Sequence, residues 1–225
     1  MEIINGKIMD FHPDGTITVR ARLPDIMRAC LRRYSEVQLG LPDGRTISPE
    51  QRRKAYALLG EIAAYTGYGT EQAKLVMKHQ FMAQHLEALQ KELFSLADCD
   101  MTTAREFISY LIEFILKFDI PTGTPLSELC EDVQRYVYAC LMHKKCAVCG
   151  LKAELHHCVG STVGMGRDRH DICHIGLEAL PLCEEHHRLN GIHQMGDERF
   201  MAHYHLEPVV IDEKIAKVYR LKGGD

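Results

Sequence analysis

Short β-prone runs with Asp-Gly turns characterise the N-terminal part of the sequence. The run EIINGKIMDFHPDGTITVRA predicts a β-hairpin that turns at Asp14-Gly15, because glycine after aspartate accepts the positive φ of a tight turn. The run VQLGLPDGRTI repeats this pattern at Asp43-Gly44. We therefore expect this part to begin with strands and turns.

A helical pattern follows the second turn. Ser48 is a good N-cap and Pro49 suits the first helical position. Gln51 lies three residues after the serine, as in a capping box. These signals predict a helix that runs to about Tyr65, ahead of Gly67.

Three further helices are predicted before the histidine-rich part of the chain. One begins at Thr70, and one begins at Thr103, where Glu106 completes a second capping box. The run FISYLIEFILKF is apolar enough for a central helix. A fourth helix is predicted from about Pro125 through LSELCEDVQRYVYACLM.

The histidines and cysteines are unevenly distributed. Ten of the 13 histidines and five of the nine cysteines lie between His143 and His205. This asymmetry predicts two domains, a mixed hairpin and helical module at residues 1–130 and a metal-rich domain at residues 131–225. The predicted fold class is α+β.

Composition and charge exclude some classes of protein. No stretch of the 225 residues reaches the roughly 18 to 20 apolar residues of a membrane span, and the N-terminus lacks a signal-peptide pattern. We therefore expect a soluble cytoplasmic protein without a membrane partner. The net charge of −4 gives no overall attraction to nucleic acid, so DNA binding would rest on local basic patches.

Without a secretory signal, clustered cysteines are more typical of metal binding than of disulfides. Cys158 and Cys173 lack ligand spacing and are not expected to bind metal. The scattered cysteines are expected to be small buried hydrophobic residues: Cys30, Cys99, Cys130 and Cys140.

Two pairs with the spacing of metal ligands stand out. Cys146-x-x-Cys149 and Cys183-x-x-His186 together supply four ligands that suit tetrahedral zinc. Two unrelated redox or core pairs are the alternative, which the matched spacing disfavours. We expect a structural Zn²⁺ here.

Further histidines remain beside this predicted zinc site. Neighbouring residues on a helix point about 100° apart, so His186 and His187 would serve two different sites. His156, His157 and His193 are also unassigned. A second metal site is therefore predicted.

The segments ELHH, VGMGRDR, LPLCEEHH, HQMG and YHL resemble HNH endonucleases encoded by phages. The resemblance implies a ββα-metal (His-Me finger) fold with a structural zinc and one catalytic divalent ion, Mg²⁺, Mn²⁺ or another. It implies metal binding by His156, His187 and His193, and a general base at His157. An imidazole also suits both tasks chemically.

Two features depart from the family pattern, and a further point concerns the pair His156-His157. No asparagine lies near Glu178, so a glutamate would orient the base. His187 and His193 are six residues apart, so either Gly191 interrupts the helix or Asn190 replaces His193. Successive strand residues face opposite sides, so the chain is expected to bend for His156 and His157 to share a site.

The remaining histidines are expected to be surface or core polar residues. Among them, the best reserve ligand or base-orienting group is His174. The full set is His170, His174, His203 and His205.

Residues 36–120 resemble the NinB family of phage recombination proteins. That resemblance implies single-stranded or branched DNA as partner, contact with a single-strand DNA-binding protein and a possible homodimer. Arginines and lysines suit phosphate contacts, although a solvated surface is the commoner role of each alone. The predicted DNA-binding residues are Arg52, Arg53, Lys54, Arg167 and Arg169.

Together these features predict a metal-dependent DNA endonuclease of phage recombination or DNA processing, acting in the cytoplasm of a bacterial host. One alternative is a non-catalytic, zinc-stabilised recombination mediator that binds single-stranded or branched DNA. A restriction-type HNH enzyme is a third possibility, disfavoured by the recombination-like first half.

Overall fold

The computed structural model describes residues 6–23, 25–33, 44–84, 93–158, 172–189 and 191–222. These described residues form a mixed α+β structure with two small antiparallel sheets. The strands are β1 (Gly6–Phe11), β2 (Ile17–Ala21), β3 (Glu154–His157), β4 (Glu178–Leu182) and β5 (Val209–Val210). The helices are α1 (Ile26–Leu31), α2 (Pro49–Thr66), α3 (Thr70–Gln84), α4 (Met101–Phe118), α5 (Leu126–Leu129), α6 (Val133–His143), α7 (Ile192–Met195), α8 (Asp197–Tyr204) and α9 (Glu213–Tyr219), with a π-helical turn at Glu185–Leu189.

The predicted N-terminal hairpin is confirmed. β1 pairs with β2 in antiparallel register from Gly6 opposite Ala21 to Phe11 opposite Ile17. Gly15 has a φ of 83°, which glycine adopts without strain. The second predicted turn, at Asp43-Gly44, falls mostly outside the described residues.

The expectation of burial fails for one cysteine. Cys30 is exposed, because α1 contributes no buried residue to any core. Cys99 and Cys140 are buried as expected, and Cys130 is partly buried.

The predicted cap of α2 is confirmed. The Ser48 side chain accepts a hydrogen bond from the Gln51 N–H at 3.0 Å, and the Gln51 side chain accepts one from the Ser48 N–H at 3.1 Å. The helix ends at Gly67, whose φ is 75°. Helix α3 begins at Thr70, as predicted.

Helix α4 begins earlier than predicted and is the central helix. Asp100, not Thr103, is its N-cap, and the Asp100 carboxylate accepts from the Thr103 N–H at 2.8 Å. Glu106 forms no capping box and instead pairs with Arg135 of α6. Helix α4 packs against α2, α3 and α6, and it buries Phe107 and seven other residues.

The predicted fourth helix is broken in two. Cys130 is extended, with a ψ of 150°. Asp132 then caps α6 by accepting from the Arg135 N–H at 3.0 Å. An aspartate that bonds the backbone favours a helix start over a helix interior, which explains the break.

The C-terminal sheet has the order β3-β4-β5 and packs against α6. A continuous cluster of buried hydrophobic residues extends from Ile47 to Ala216, on both sides of residue 130. The division into domains 1–130 and 131–225 stays a prediction. Within the described ranges, no helix has the length and apolar character needed to cross a membrane.

Replacing Gly60 by alanine should stabilise the fold. Gly60 lies inside α2, and a Cβ there would meet no atom within 4 Å. The alanine restricts the unfolded chain, so Gly60→Ala should raise the free energy of unfolding by roughly 0.5–1 kcal/mol. Urea denaturation measures this change. The control Gly67→Ala, at a φ of 75°, should destabilise, and a loss of stability in Gly60→Ala would contradict the packing of α2.

Candidate metal centres

The four side chains of the predicted zinc site converge. One ligand atom from each of Cys146, Cys149, Cys183 and His186 lies within 4.8 Å of the others. The Cys149 and Cys183 sulfur atoms are 3.6 Å apart. The His186 Nδ1 atom is 3.7 Å from the Cys146 sulfur and 3.1 Å from the Cys183 sulfur. We call this group of three cysteines and one histidine the cysteine tetrad.

Two tight turns bring the tetrad together. After α6, the Cys146 N–H donates to the Leu151 carbonyl at 2.7 Å, and the Gly150 N–H donates to the Cys146 carbonyl at 2.8 Å. The positive φ of Gly150, 71°, allows this knuckle. The second pair begins at Cys183, directly after β4.

A second group of three histidines lies beside the tetrad. Ligand atoms of His156, His187 and His193 lie within 4.8 Å of one another, and His187 Nε2 is 3.0 Å from His156 Nδ1. The three side chains come from β3, the π-helical turn and α7. This group is named the histidine triad below.

The backbone after β4 explains how His186 and His187 reach different groups. The π-helical turn at Glu185–Leu189 contains both residues, and such turns are frequent at functional sites. Gly191 interrupts the helical path before α7, as one of the two sequence hypotheses required. The other hypothesis, Asn190 as ligand, lies outside the described residues.

The expected bend at His156 and His157 is absent. β3 pairs with β4 in regular register through both residues, with His156 opposite Leu180 and His157 opposite Ala179. Neighbouring strand residues face opposite sides. Consequently His156 joins the triad, while His157 contacts His174, with 2.9 Å between His157 Nε2 and His174 Nδ1. Among the described residues, the triad does not include His157.

Sequence reasoning missed two neighbours of His156. Cys158 and Asp197 form a further group with it, within 4.8 Å. The Asp197 Oδ2 atom is 3.5 Å from His156 Nε2, the nitrogen opposite to the one that faces His187. Strand alternation could have indicated Cys158, two residues from His156, but no sequence spacing indicates Asp197 at the start of α8.

Burial favours the neutral form of two triad imidazoles, His156 and His187. It lowers the pKa of His156, against the opposing effect of Asp197. Burial lowers the pKa of His187 to about 4, helped by His156 and His193. Neutral imidazoles keep the lone pair that a metal ion needs. Among the described residues, the buried His187 Nδ1 has no hydrogen-bond partner, and the Glu154 carboxylate lies 3.7 Å from it.

Burial also disfavours thiolates in the absence of a metal. It raises the pKa of Cys146, and it raises the pKa of Cys149 and of Cys158 to about 12. A bound cation would reverse this preference, because metals bind the thiolate form. Metal binding to the tetrad would therefore release protons.

Most of the predicted DNA-binding side chains have partners within the chain or lie outside the described part. Arg52 donates to the carbonyls of Leu96 at 2.9 Å and Ala97 at 2.5 Å. Lys54 binds the Glu131 carboxylate at 2.7 Å. Arg53 is exposed on α2. Arg167 and Arg169 lie outside the described residues.

The remaining histidines and cysteines mostly match expectation. His203 and His205 are exposed, and His174 is buried. Cys173 is exposed and joins no potential metal group among the described residues. Cys158 does not join the tetrad but lies beside the triad. His170 lies outside the described residues.

The fold and these groups define an α+β protein with two adjacent Cys/His sites able to hold metal ions. A model of the family described as "Putative HNHc nuclease" matches residues 18–224, and the chain belongs to this family. The match extends over both sides of residue 130. A search of curated proteins and a search of solved structures each found no match. The family indicates a metal-dependent nuclease with DNA as its substrate.

A methyl group at Gly191 should disrupt the backbone that carries both groups. A Cβ there would lie 1.8 Å from the His186 carbonyl oxygen, while the Gly191 φ of −105° suits any residue. Gly191→Ala should therefore lower the free energy of unfolding by roughly 1–3 kcal/mol through steric overlap alone. Thermal unfolding measures this, with Gly60→Ala as the matched control. Equal stability of Gly191→Ala and the unchanged chain would contradict the close contact.

Proposed function

We propose that the protein is a DNA endonuclease that hydrolyses phosphodiester bonds with a divalent ion at the histidine triad. The observation that carries the proposal is the convergence of His156, His187 and His193 beside the cysteine tetrad. A protein that needed only a structural ion would have no use for a second group of imidazoles next to a complete four-ligand set. Family membership supports the same reaction class.

The cysteine tetrad fits a structural Zn²⁺. Zn–S distances of about 2.3 Å and Zn–N distances of about 2.0 Å imply tetrahedral edges of about 3.8 Å between sulfurs and about 3.5 Å between sulfur and nitrogen. The edges Cys149–Cys183 and Cys146–His186, at 3.6 and 3.7 Å, match this geometry. The edge from Cys183 to His186, at 3.1 Å, is shorter. Three thiolates and an imidazole leave no open position for a substrate.

The histidine triad would suit a catalytic ion, because three protein ligands would leave such an ion accessible to water and substrate. Imidazole ligands suit transition metals, whereas Mg²⁺ prefers oxygen ligands. The Asp197 carboxylate, at 3.5 Å from His156 Nε2, would orient the His156 ring so that its Nδ1 faces the other two histidines. The donor chemistry thus favours Ni²⁺, Zn²⁺ or Mn²⁺ over Mg²⁺.

The proposed chemistry divides two tasks, metal binding and proton transfer, among four histidines. A divalent ion bound here would supply positive charge that stabilises the charge developing on the phosphate and the leaving group. His156, His187 and His193 would hold that ion. His157, partly exposed at the end of β3, accepts a proton from water as the water oxygen attacks phosphorus. The bond from phosphorus to the leaving oxygen breaks, and that oxygen takes a proton from solvent.

We infer single-stranded or branched DNA as substrate and phage recombination or DNA processing as the setting. The support is the NinB-like pattern of residues 36–120, which also implies a single-strand DNA-binding protein as partner and a homodimer. Of the basic residues predicted on α2, the exposed Arg53 is the best placed for a phosphate contact. Arg167 and Arg169 remain proposed contacts.

A non-catalytic DNA-binding mediator is the second candidate function. The observation that favours it is the separation of His157 from the triad: its side chain contacts His174 instead. In that case the chain would bind DNA and hold zinc without cleaving any substrate. Nuclease assays distinguish the two candidates.

Elemental analysis tests the structural ion. Cys149 is exposed, so Cys149→Ser removes little packing and should act mainly through the metal. We expect one tightly bound zinc per chain in the unchanged protein and a loss of that zinc in the variant. The free energy of unfolding should fall by about 2 kcal/mol or more. The exposed Cys173 gives the matched control, Cys173→Ser, which should keep the zinc. If Cys149→Ser kept the full zinc content, the assignment of the tetrad as the zinc site would be wrong.

Plasmid and single-strand cleavage with Mn²⁺, Ni²⁺ or Mg²⁺ tests the catalytic assignment. His157→Ala should lower the cleavage rate by about 100-fold or more, the contribution of a general base, and His187→Ala should also weaken metal activation. His203→Ala, on the exposed side of α8, is the control and should keep the rate. Mn²⁺ and Ni²⁺ should activate at lower concentration than Mg²⁺. Equal cleavage rates for the unchanged chain and His157→Ala would refute the assignment of His157 as general base. If the unchanged chain cleaves no form of DNA, the non-catalytic mediator function is favoured.

A further inference from the structure

The imidazole of His174 lies against that of His157. The Nε2 atom of His157 is 2.9 Å from Nδ1 of His174, and the ring centroids are 5.0 Å apart with 39° between the ring planes. In a neutral histidine pair, one of the two nitrogens carries the hydrogen and donates it, while the other accepts. The contact therefore restricts the rotation of the His157 ring and couples its tautomer to that of His174.

The two histidines differ in their access to a substrate. His174 is 1% exposed, whereas His157 is partly exposed at the end of β3. A substrate can therefore touch His157 but not His174. Any effect of His174 on a reaction must act through a neighbouring side chain.

Backbone hydrogen bonds hold His174 in place. Its N–H donates to the Lys222 carbonyl at 3.1 Å, and its carbonyl accepts from the Leu177 N–H at 3.2 Å. In the same turn, the Gly176 N–H donates to the Ile211 carbonyl at 3.0 Å. The turn before β4 is thus attached to the C-terminal segment. An imidazole held in this way can fix the orientation of its partner.

We propose that His174 is the positioning residue for His157, an inference that rests on the nuclease function proposed above. The His157 Nε2–H donates to Nδ1 of His174, so the lone pair of His157 lies on Nδ1, the nitrogen that accepts the proton of the attacking water. The opposite tautomer would use the lone pair of His157 in the hydrogen bond. His174 thereby takes the orienting role that the family resemblance left to Glu178.

Two substitutions of His174 separate positioning from simple packing. In His174→Asn the amide oxygen can accept near the position of Nδ1, whereas His174→Leu fills the space without an acceptor. With Mn²⁺ and single-stranded or nicked plasmid DNA, His174→Leu should lower kcat by about 10- to 100-fold, as for other lost orienting partners. KM should change by less than about twofold, because His174 does not touch the substrate. His174→Asn should restore most of kcat, and the control His203→Leu should keep it.

Nitrogen-15 NMR of the full chain gives a readout that does not depend on activity. The His157 ring should show the hydrogen on Nε2 in the unchanged chain and in His174→Asn, and a mixture of tautomers in His174→Leu. Unchanged kcat and an unchanged tautomer in His174→Leu would overturn the proposal, as would a loss of kcat that His174→Asn does not restore. If the unchanged chain cleaves no DNA, the nuclease function fails, and the tautomer result alone decides whether His174 orients His157.

Discussion

The arrangement of both candidate metal centres depends on the divergence of two adjacent side chains. His186 points to the cysteine tetrad and His187 points to the histidine triad. The π-helical turn and the close approach of Gly191 to the His186 backbone set this divergence. Both groups also take ligands from the chain just before or within β3, so the pairing of β3 with β4 fixes the distance between them.

The sequence predicted the members of the tetrad because each pair of ligands has the two-residue spacing typical of metal-binding turns. Two residues between ligands suffice for a turn to aim both side chains at one ion, and the knuckle around Gly150 forms as that spacing requires. The cap of α2 was predictable for the same reason, because Ser48 and Gln51 act on their own backbone. Short-range sequence patterns thus predicted the convergence of these side chains and the start of α2, because each pattern acts on residues within one turn.

Long-range contacts were harder to predict. Asp100 displaced the expected start of α4, and Asp132 started a new helix inside the expected fourth helix. Several capping residues compete within one segment, and packing decides among them. Asp197 reaches His156 from a separate helix, and no spacing in the sequence indicates that contact. Strand alternation explains why the His157 side chain faces away from the triad. That pattern does not predict its contact with His174, because a turn bonded to the C-terminal segment places His174 there.

The separation between Cys149 and Cys183 has an energetic consequence. Their sulfur atoms are 3.6 Å apart although 34 positions separate them along the chain. An ion held by both would act as a cross-link that closes this loop for as long as the ion stays bound. By the chain-entropy relation for cross-links, such a closure is worth about 4 kcal/mol, which is comparable to the whole stability of a small domain. A metal that stays bound during partial unfolding would therefore also limit the disorder of the chain between the two cysteines.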